Sequence, residues 1–109
     1  MLRVELSTGH HSAVIVCSGR IVEGDGAEML RRAAMSQQGN ELSIDLSRVT
    51  AMDARGLGIL VELKKWAQRH GKRLQFLNPS PRVLELLQRT RLYSVLEICR
   101  NTRERGHAA

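Results

Sequence analysis

The stretch TAMDARGLGIL, residues 50–60, decides how this chain is read. It follows an apolar alternation and opens into a helical pattern, yet it places Arg55, Gly56 and Gly58 where the first helical turn belongs. Each glycine costs about 1 kcal/mol relative to alanine inside a helix, so two in one turn require a reason, either close packing or access for another molecule. A cation there also opposes the helix dipole by about 0.3–1 kcal/mol, and an anion beside it would relieve the conflict. Asp53 stands where a carboxylate caps a helix by accepting from free backbone N–H groups two and three residues on. That role is preferred to a catalytic one, because no His or Cys lies near it in sequence.

Working outward, residues 41–46 (ELSIDL) alternate, with Leu42, Ile44 and Leu46 on one side and Ser43 and Asp45 on the other, which predicts a strand. The helix after it runs over 54–70 on a stripe of Leu57, Leu60, Val61, Leu63 and Ala67, shows Glu62, Lys65, Gln68 and Arg69 on its polar face, and stops at Gly71. Trp66 is placed either at the edge of the core or on the surface. Residues 72–77 (KRLQFL) read as a strand and 78–81 (NPSP) as a turn, with Ser80 as N-cap and Pro81 at the first position of a helix built on 83–87. Residues 95–99 (VLEIC) read as a last strand.

Toward the N-terminus, Val4 and Leu6 alternate with polar residues, and 12–18 form a short apolar run, which together predict a hairpin across Thr8–His11. A connector then ends in Asp25, read as a helix cap with Glu28 three residues on. Met29, Leu30, Ala33 and Ala34 form the buried face of that helix, which stops at Gly39. The order strand, strand, helix, strand, helix, strand, helix, strand predicts an α/β fold: a single domain over 1–99, with a mixed, mostly parallel sheet of about five strands and helices packed on it. Residues 100–109 read as a polar, basic, fraying tail. In such sheets, loops at the carboxyl ends of strands are where ligands or partners are met, and residues 50–60 form one of them.

The 109 residues suffice for one domain with its own core, and with aromatics at 3% that core must be aliphatic. The net charge of +6 and pI of about 10.4 raise the question of nucleic acid. The cations are spread over Arg31-Arg32, Lys64-Lys65, Lys72-Arg73 and the tail, with few aromatics to stack bases, so solvated helix faces explain them and nucleic-acid binding is disfavoured. Cys17 and Cys99 lie in apolar runs and read as two buried thiols of a reducing compartment. No segment reaches the roughly 20 apolar residues of a membrane span, and residues 1–9 do not look like a signal peptide, so the cytoplasm is the expected location.

His10 and His11 are adjacent on a connector with no further ligands nearby, so they read as surface residues rather than a metal site, and no cofactor is implied. Gly56-Leu57-Gly58 lacks the third glycine of a dinucleotide fingerprint and the Gly-Lys-Ser/Thr ending of a phosphate loop, which weakens an enzymatic reading. Ser47 and Thr50 flank the stretch. Their hydroxyls read first as local backbone caps and second as possible alternative phosphorylation sites.

Residues 44–60, IDLSRVTAMDARGLGIL, resemble the signature of the STAS domain family (sulfate transporter and anti-sigma factor antagonist): a strand ending Asp-Leu-Ser, a short loop with an aspartate and a Ser or Thr, and Gly-Leu-Gly opening a helix. The helix ending at Gly71, the strand to Leu77, the 78–81 turn and the close over 90–98 are similar to the same family, so the resemblance covers nearly the whole chain. It implies a protein-binding regulatory module, an antagonist that binds an anti-sigma factor, often a serine kinase with an ATP-binding fold, in a partner-switching circuit that controls transcription. The kinase of such circuits phosphorylates a hydroxyl just ahead of Gly-Leu-Gly, and that position here is Arg55, preceded by Ala54. A phosphate adds a charge of about −1.5 to −2, whereas Arg55 fixes the opposite sign. The implied partner-binding residues are Thr50, Met52, Asp53, Arg55, Gly56, Leu57 and Gly58, with Met52, Leu57 and Gly58 offering contact area and Arg55 meeting a carboxylate or phosphate of the partner. The family also implies an alternative, an accessory subunit bracing the ATPase of an ABC-type lipid transporter. An anion- or nucleotide-binding domain is the weaker third reading, and a homodimer stays open.

Overall fold

Alternating apolar residues at the start of the chain build the first ladder. In the computed structural model, which describes residues 1–100, β1 (Leu2–Thr8) runs antiparallel to β2 (Ser12–Ile21), with Val4 opposite Cys17 and Leu6 opposite Ile15. Then follow α1 (Ala27–Met35), β3 (Glu41–Met52), α2 (Ala54–Arg69), β4 (Arg73–Leu77), α3 (Pro81–Arg89), a 3-10 turn at Leu92–Ser94 and β5 (Ile98–Cys99). The strands lie in the order β1-β2-β3-β4-β5, and every pair after the first is parallel. The expected mixed, mostly parallel α/β sheet is therefore present.

Register places the core. Ile15 pairs with Ile44 and Ile44 with Phe76, so the buried strand residues share one face: Ala13, Ile15 and Cys17 on β2, Leu42, Ile44 and Leu46 on β3, Leu74 and Phe76 on β4. Leu30 and Ala34 of α1 and Leu60, Leu63 and Ala67 of α2 close over them. On the other face Val14, Val16, Ser43, Asp45, Gln75 and Leu77 are only half-buried, and Gln75 Nε2 donates across to Ser43 Oγ at 3.0 Å. Trp66 belongs to the core, its ring beside that of His70 and under Lys72 Nζ. The Cys17 thiol is buried as expected, and burial, with Asp45 as a second cause, pushes its pKa up to about 12.

The structure corrects the sequence reading in several places, the first being that α1 ends at Met35 with Ser36 as its C-cap rather than at Gly39. β3 does not stop at Leu46 but runs to Met52. Between Val16↔Asp45 and Ser18↔Arg48, and again between Gly19↔Val49 and Arg20↔Ala51, β3 carries one extra residue. These bulges break the alternation that the sequence reading relied on and return Val49 and Met52 to the core. In α1 the cap is Gly26 without a side-chain bond, because the Asp25 carboxylate faces the Met1 amino group at 2.9 Å and Arg20 Nε at 3.4 Å. Met29 lies off the buried line of Ala27, Leu30 and Ala34 and is 49% exposed. The last strand shrinks to two residues because the preceding segment turns and anchors through buried Leu96, which leaves Cys99 exposed on the final strand. The tail reading, beyond Arg100, lies outside the described residues.

Because β3 outruns β4, whose pairing ends at Asp45↔Leu77, an edge of β3 would be left open. Ser80 fills it. Its N–H donates to the Leu46 carbonyl at 3.1 Å, and its hydroxyl donates to the Val49 carbonyl at 2.7 Å. The same hydroxyl accepts from the Val83 N–H at 3.4 Å as the N-cap of α3, with Pro81 following it as expected. Ser80→Ala therefore removes a cap and orphans a buried carbonyl, and thermal or urea unfolding should register a loss of about 1–2 kcal/mol.

Candidate functional site

The extension of β3 shortens the loop expected at 50–60 to a single residue. Thr50, Ala51 and Met52 are strand, Ala54 is helix, and Asp53 alone makes the corner in an extended conformation. Its Oδ1 accepts from the Gly56 N–H at 2.9 Å, which is the expected cap. Its Oδ2 accepts from the Glu23 N–H at 3.0 Å, so one carboxylate ties the β2–α1 connector to the start of α2. The bonds from Glu23 and then Gly56 hold the Asp53 carboxyl below its ordinary pKa.

The two glycines separate by role. A Cβ on Gly56 would sit 2.2 Å from the Ile21 carbonyl oxygen and 2.8 Å from Met52 Cγ, so α2 rests directly on the end of β2 there. A Cβ on Gly58 would meet nothing within 4 Å, and the residue is exposed. Met52 and Leu57, expected to offer contact area, are instead buried core residues at 8% and 9% exposure, and Gly56 is buried beneath them. Met52 was expected on the surface because a loop was drawn where the strand continues, whereas the burial of Leu57 agrees with its place on the apolar stripe of α2 and leaves it without the contact area expected of it. The exposed surface consists of Thr50, Asp53, Ala54, Arg55 and Gly58.

Arg55 finds its anion within the chain. Its Nη2 lies 3.5 Å from Glu28 Oε1 on α1, both side chains being 47% exposed. Glu28 Oε2 is also 3.1 Å from Arg31 Nη1 and 3.8 Å from Arg32 Nε, while Arg31 Nε donates to Glu62 Oε2 at 2.7 Å. The bond and charge of Glu62, then the charge of Glu28, raise the Arg31 pKa. These contacts strap α1 to α2 beside the exposed turn. Next to the strap a hollow of about 380 Å³ is lined by Gly24, Asp25, Gly26, Glu28, Met29 and Arg32. Sequence reasoning missed Glu23 and Glu28 as parts of this site. Glu23 lies 30 residues from Asp53, and no local pattern announces so distant a contact.

The flanking hydroxyls differ. Ser47 is locked locally, its hydroxyl donating to Asp45 Oδ1 at 2.6 Å and its N–H to the same oxygen at 2.8 Å, whereas Thr50 is exposed at the end of β3. A second hollow, about 410 Å³, lies at the far end of α2 among Lys64, Gln68, Lys72, Arg73 and Glu97. Two of its cations are engaged by the chain itself: Lys72 Nζ donates to the Gly39 carbonyl at 2.6 Å and Arg73 Nη2 to Glu97 at 2.7 Å. An anion there would also face the negative end of the α2 dipole.

Two outcomes follow from this geometry. Gly58→Ala should stabilise by about 0.4–1 kcal/mol, because it fills open space on a helix, while Gly56→Ala should destabilise by about 1–3 kcal/mol in the same unfolding assay. Since the Asp53 pKa is depressed on folding, its charge stabilises above the ordinary value of 3.8 and that contribution is lost as pH falls through the lower folded value. The Tm gap between the wild type and Asp53→Asn should accordingly be open at neutral pH and close as the solution is acidified below that value.

The chain matches the family model described as Mlab, STAS domain, over residues 4–97. It is 34% identical over 64 residues to the anti-sigma-B factor antagonist of Bacillus subtilis (strain 168), an alignment spanning 59% of this chain and 59% of that protein. An anti-sigma factor antagonist from Mycobacterium paratuberculosis has a similar structure, with a TM-score of 0.78 at 20% identity over 91% of this chain and 86% of that one. The anti-sigma factor antagonist SpoIIAA in its unphosphorylated form gives 0.74 at 21% identity over 94% and 90% of the two chains. The phosphorylated form of SpoIIAA, described as a Bacillus cell fate determinant, gives 0.70 at 20% identity over 94% of each. At these identities the structures share the fold, and the match to the family model spans β2, β3, β4 and the Asp53–Gly58 turn; the chain belongs to the STAS domain family.

Proposed function

We propose that this protein is an anti-sigma factor antagonist, a module that acts by binding rather than catalysis in a partner-switching circuit controlling transcription. It engages an anti-sigma factor of the serine-kinase type, with an ATP-binding fold, through the first turn of α2. The carrying observation is the exposed, stripped turn of Ala54, Arg55 and Gly58, set rigidly by Asp53 on a corner one residue long. Thr50, Asp53, Arg55 and Gly58 make the contacts, and Met52, Gly56 and Leu57 support them from below. The exposed hollow beside Met29 receives an apolar side chain of the partner.

In this reading the module works without the family's phosphoswitch at position 55. Arg55 carries no hydroxyl, and it pairs with Glu28, a carboxylate it shares with Arg31 and Arg32, which leaves the cluster net positive toward the partner. Thr50, exposed, is the better candidate of the two alternative hydroxyls, since a phosphate on Ser47 would face the Asp45 carboxylate. A cytoplasmic location accords with the reading; among the described residues no helix is long and apolar enough to cross a membrane. One observation favours the transporter reading: a subunit bracing an ABC ATPase has no use for a hydroxyl at position 55. Co-purification with an ATPase and permease, rather than with an anti-sigma factor, would select it.

The direct test is titration calorimetry against the anti-sigma factor encoded nearest to the protein, at low salt. A complex is expected, and Gly58→Leu should weaken it at least about tenfold while leaving the Tm unchanged or raised, because the added side chain projects only into the interface. Absence of a complex, or an unaltered Kd for Gly58→Leu, would overturn the reading. Arg55→Ser should change stability by no more than about 0.5 kcal/mol, since losing the exposed pair with Glu28 offsets the relief of the dipole conflict. It should also make the protein a substrate of the kinase, read by intact-mass spectrometry.

A further inference from the structure

Among the described residues β1 is one edge of the sheet, and its helix-side face passes from buried at Leu2 to exposed at Leu6. Along Leu2–Thr8 the even positions Leu2, Val4 and Leu6 share the face of Cys17 and Ile15, while Arg3 and Glu5 share the opposite face with Ser18 and Val16. Val4 is half-buried, and Leu6 is 52% exposed, one of few large apolar side chains left in solvent. The outer backbone groups of β1 face no strand among the described residues. Such an edge is a template for another strand.

We infer that β1 is a homodimer surface, pairing antiparallel with β1 of a second copy about a two-fold axis through Val4. An axis normal to the sheet keeps every side chain on its own face. Through Val4 it sets Arg3 of each copy opposite Glu5 of the other, and Leu2 opposite Leu6. The same axis through Arg3 or Glu5 would set like charges face to face, so the charges select one register. The two copies then share one continuous sheet, both charge pairs lie on one face, and Leu6 gains an apolar neighbour across the dyad. The surface contains none of the α2 site residues, and the inference does not rest on the proposed function.

Because the contact is isologous, each substitution acts twice. Sedimentation velocity of the full chain, across concentrations up to about 1 mM, should show a reversible dimer. R3E gives two acidic strands and E5R two basic ones, so each variant alone should weaken self-association at least about tenfold. An equimolar mixture of the two should recover the dimer, since both pairs across the dyad become attractive. The double variant R3E/E5R should likewise dimerise as the wild type does. Circular dichroism and the Tm verify that each variant is folded, and the mixture retains its meaning if one variant is less stable. A wild type that stays monomeric throughout, a dimer indifferent to both single variants, or a mixture that fails to associate would each overturn the assignment.

Discussion

The seating of α2 on the end of β2 is the constraint on which the rest of the candidate site depends. At Gly56 the helix backbone comes so close to the Ile21 carbonyl that no side chain fits between them. That approach sets the angle at which β3 hands over to α2 and leaves room for one corner residue. Asp53 then bonds in two directions, to the helix it starts and to the connector leaving β2. A turn anchored at both its backbone and its cap can present a surface without rearranging, which limits the conformational entropy lost on binding.

Electrostatics complete the corner. The positive end of α2 would oppose Arg55, but Glu28 reaches over from α1 and also engages Arg31, whose other bond goes to Glu62 on α2. Exposed ion pairs of this kind contribute little singly. Their effect here is positional, because they fix which face of α1 stands next to the turn and place the hollow beside Met29 adjacent to it. At position 55 the arginine is held by Glu28, so the turn carries a fixed charge.

The fold was largely legible in the sequence because its determinants are local. Alternation over 41–46, the stripe of α2, and Ser80-Pro81 each announce an element within a few residues. What escaped depended on distant contacts or broken periodicity. The two bulges of β3 hid Val49 and Met52 from an alternation argument and turned an expected loop into strand, so Met52 moved from surface to core. Asp25 had the position of a cap but was claimed by the amino terminus and Arg20, neither of which a capping pattern can weigh. The anion for Arg55 was foreseen as a need but not as Glu28. Ser80 was foreseen as a cap but not as the plug of the β3 edge.

If the proposed function holds, the partner meets the first turn of α2 and the β2–α1 connector tied to it. Hydrogen–deuterium exchange of the protein with and without the bound anti-sigma factor addresses this most directly. Added protection should be confined to residues 22–26 and 53–59, with the β4 strand and the far end of α2 unchanged. Protection centred on the far end of α2 and β4, with residues 53–59 exchanging as in the free protein, would contradict it.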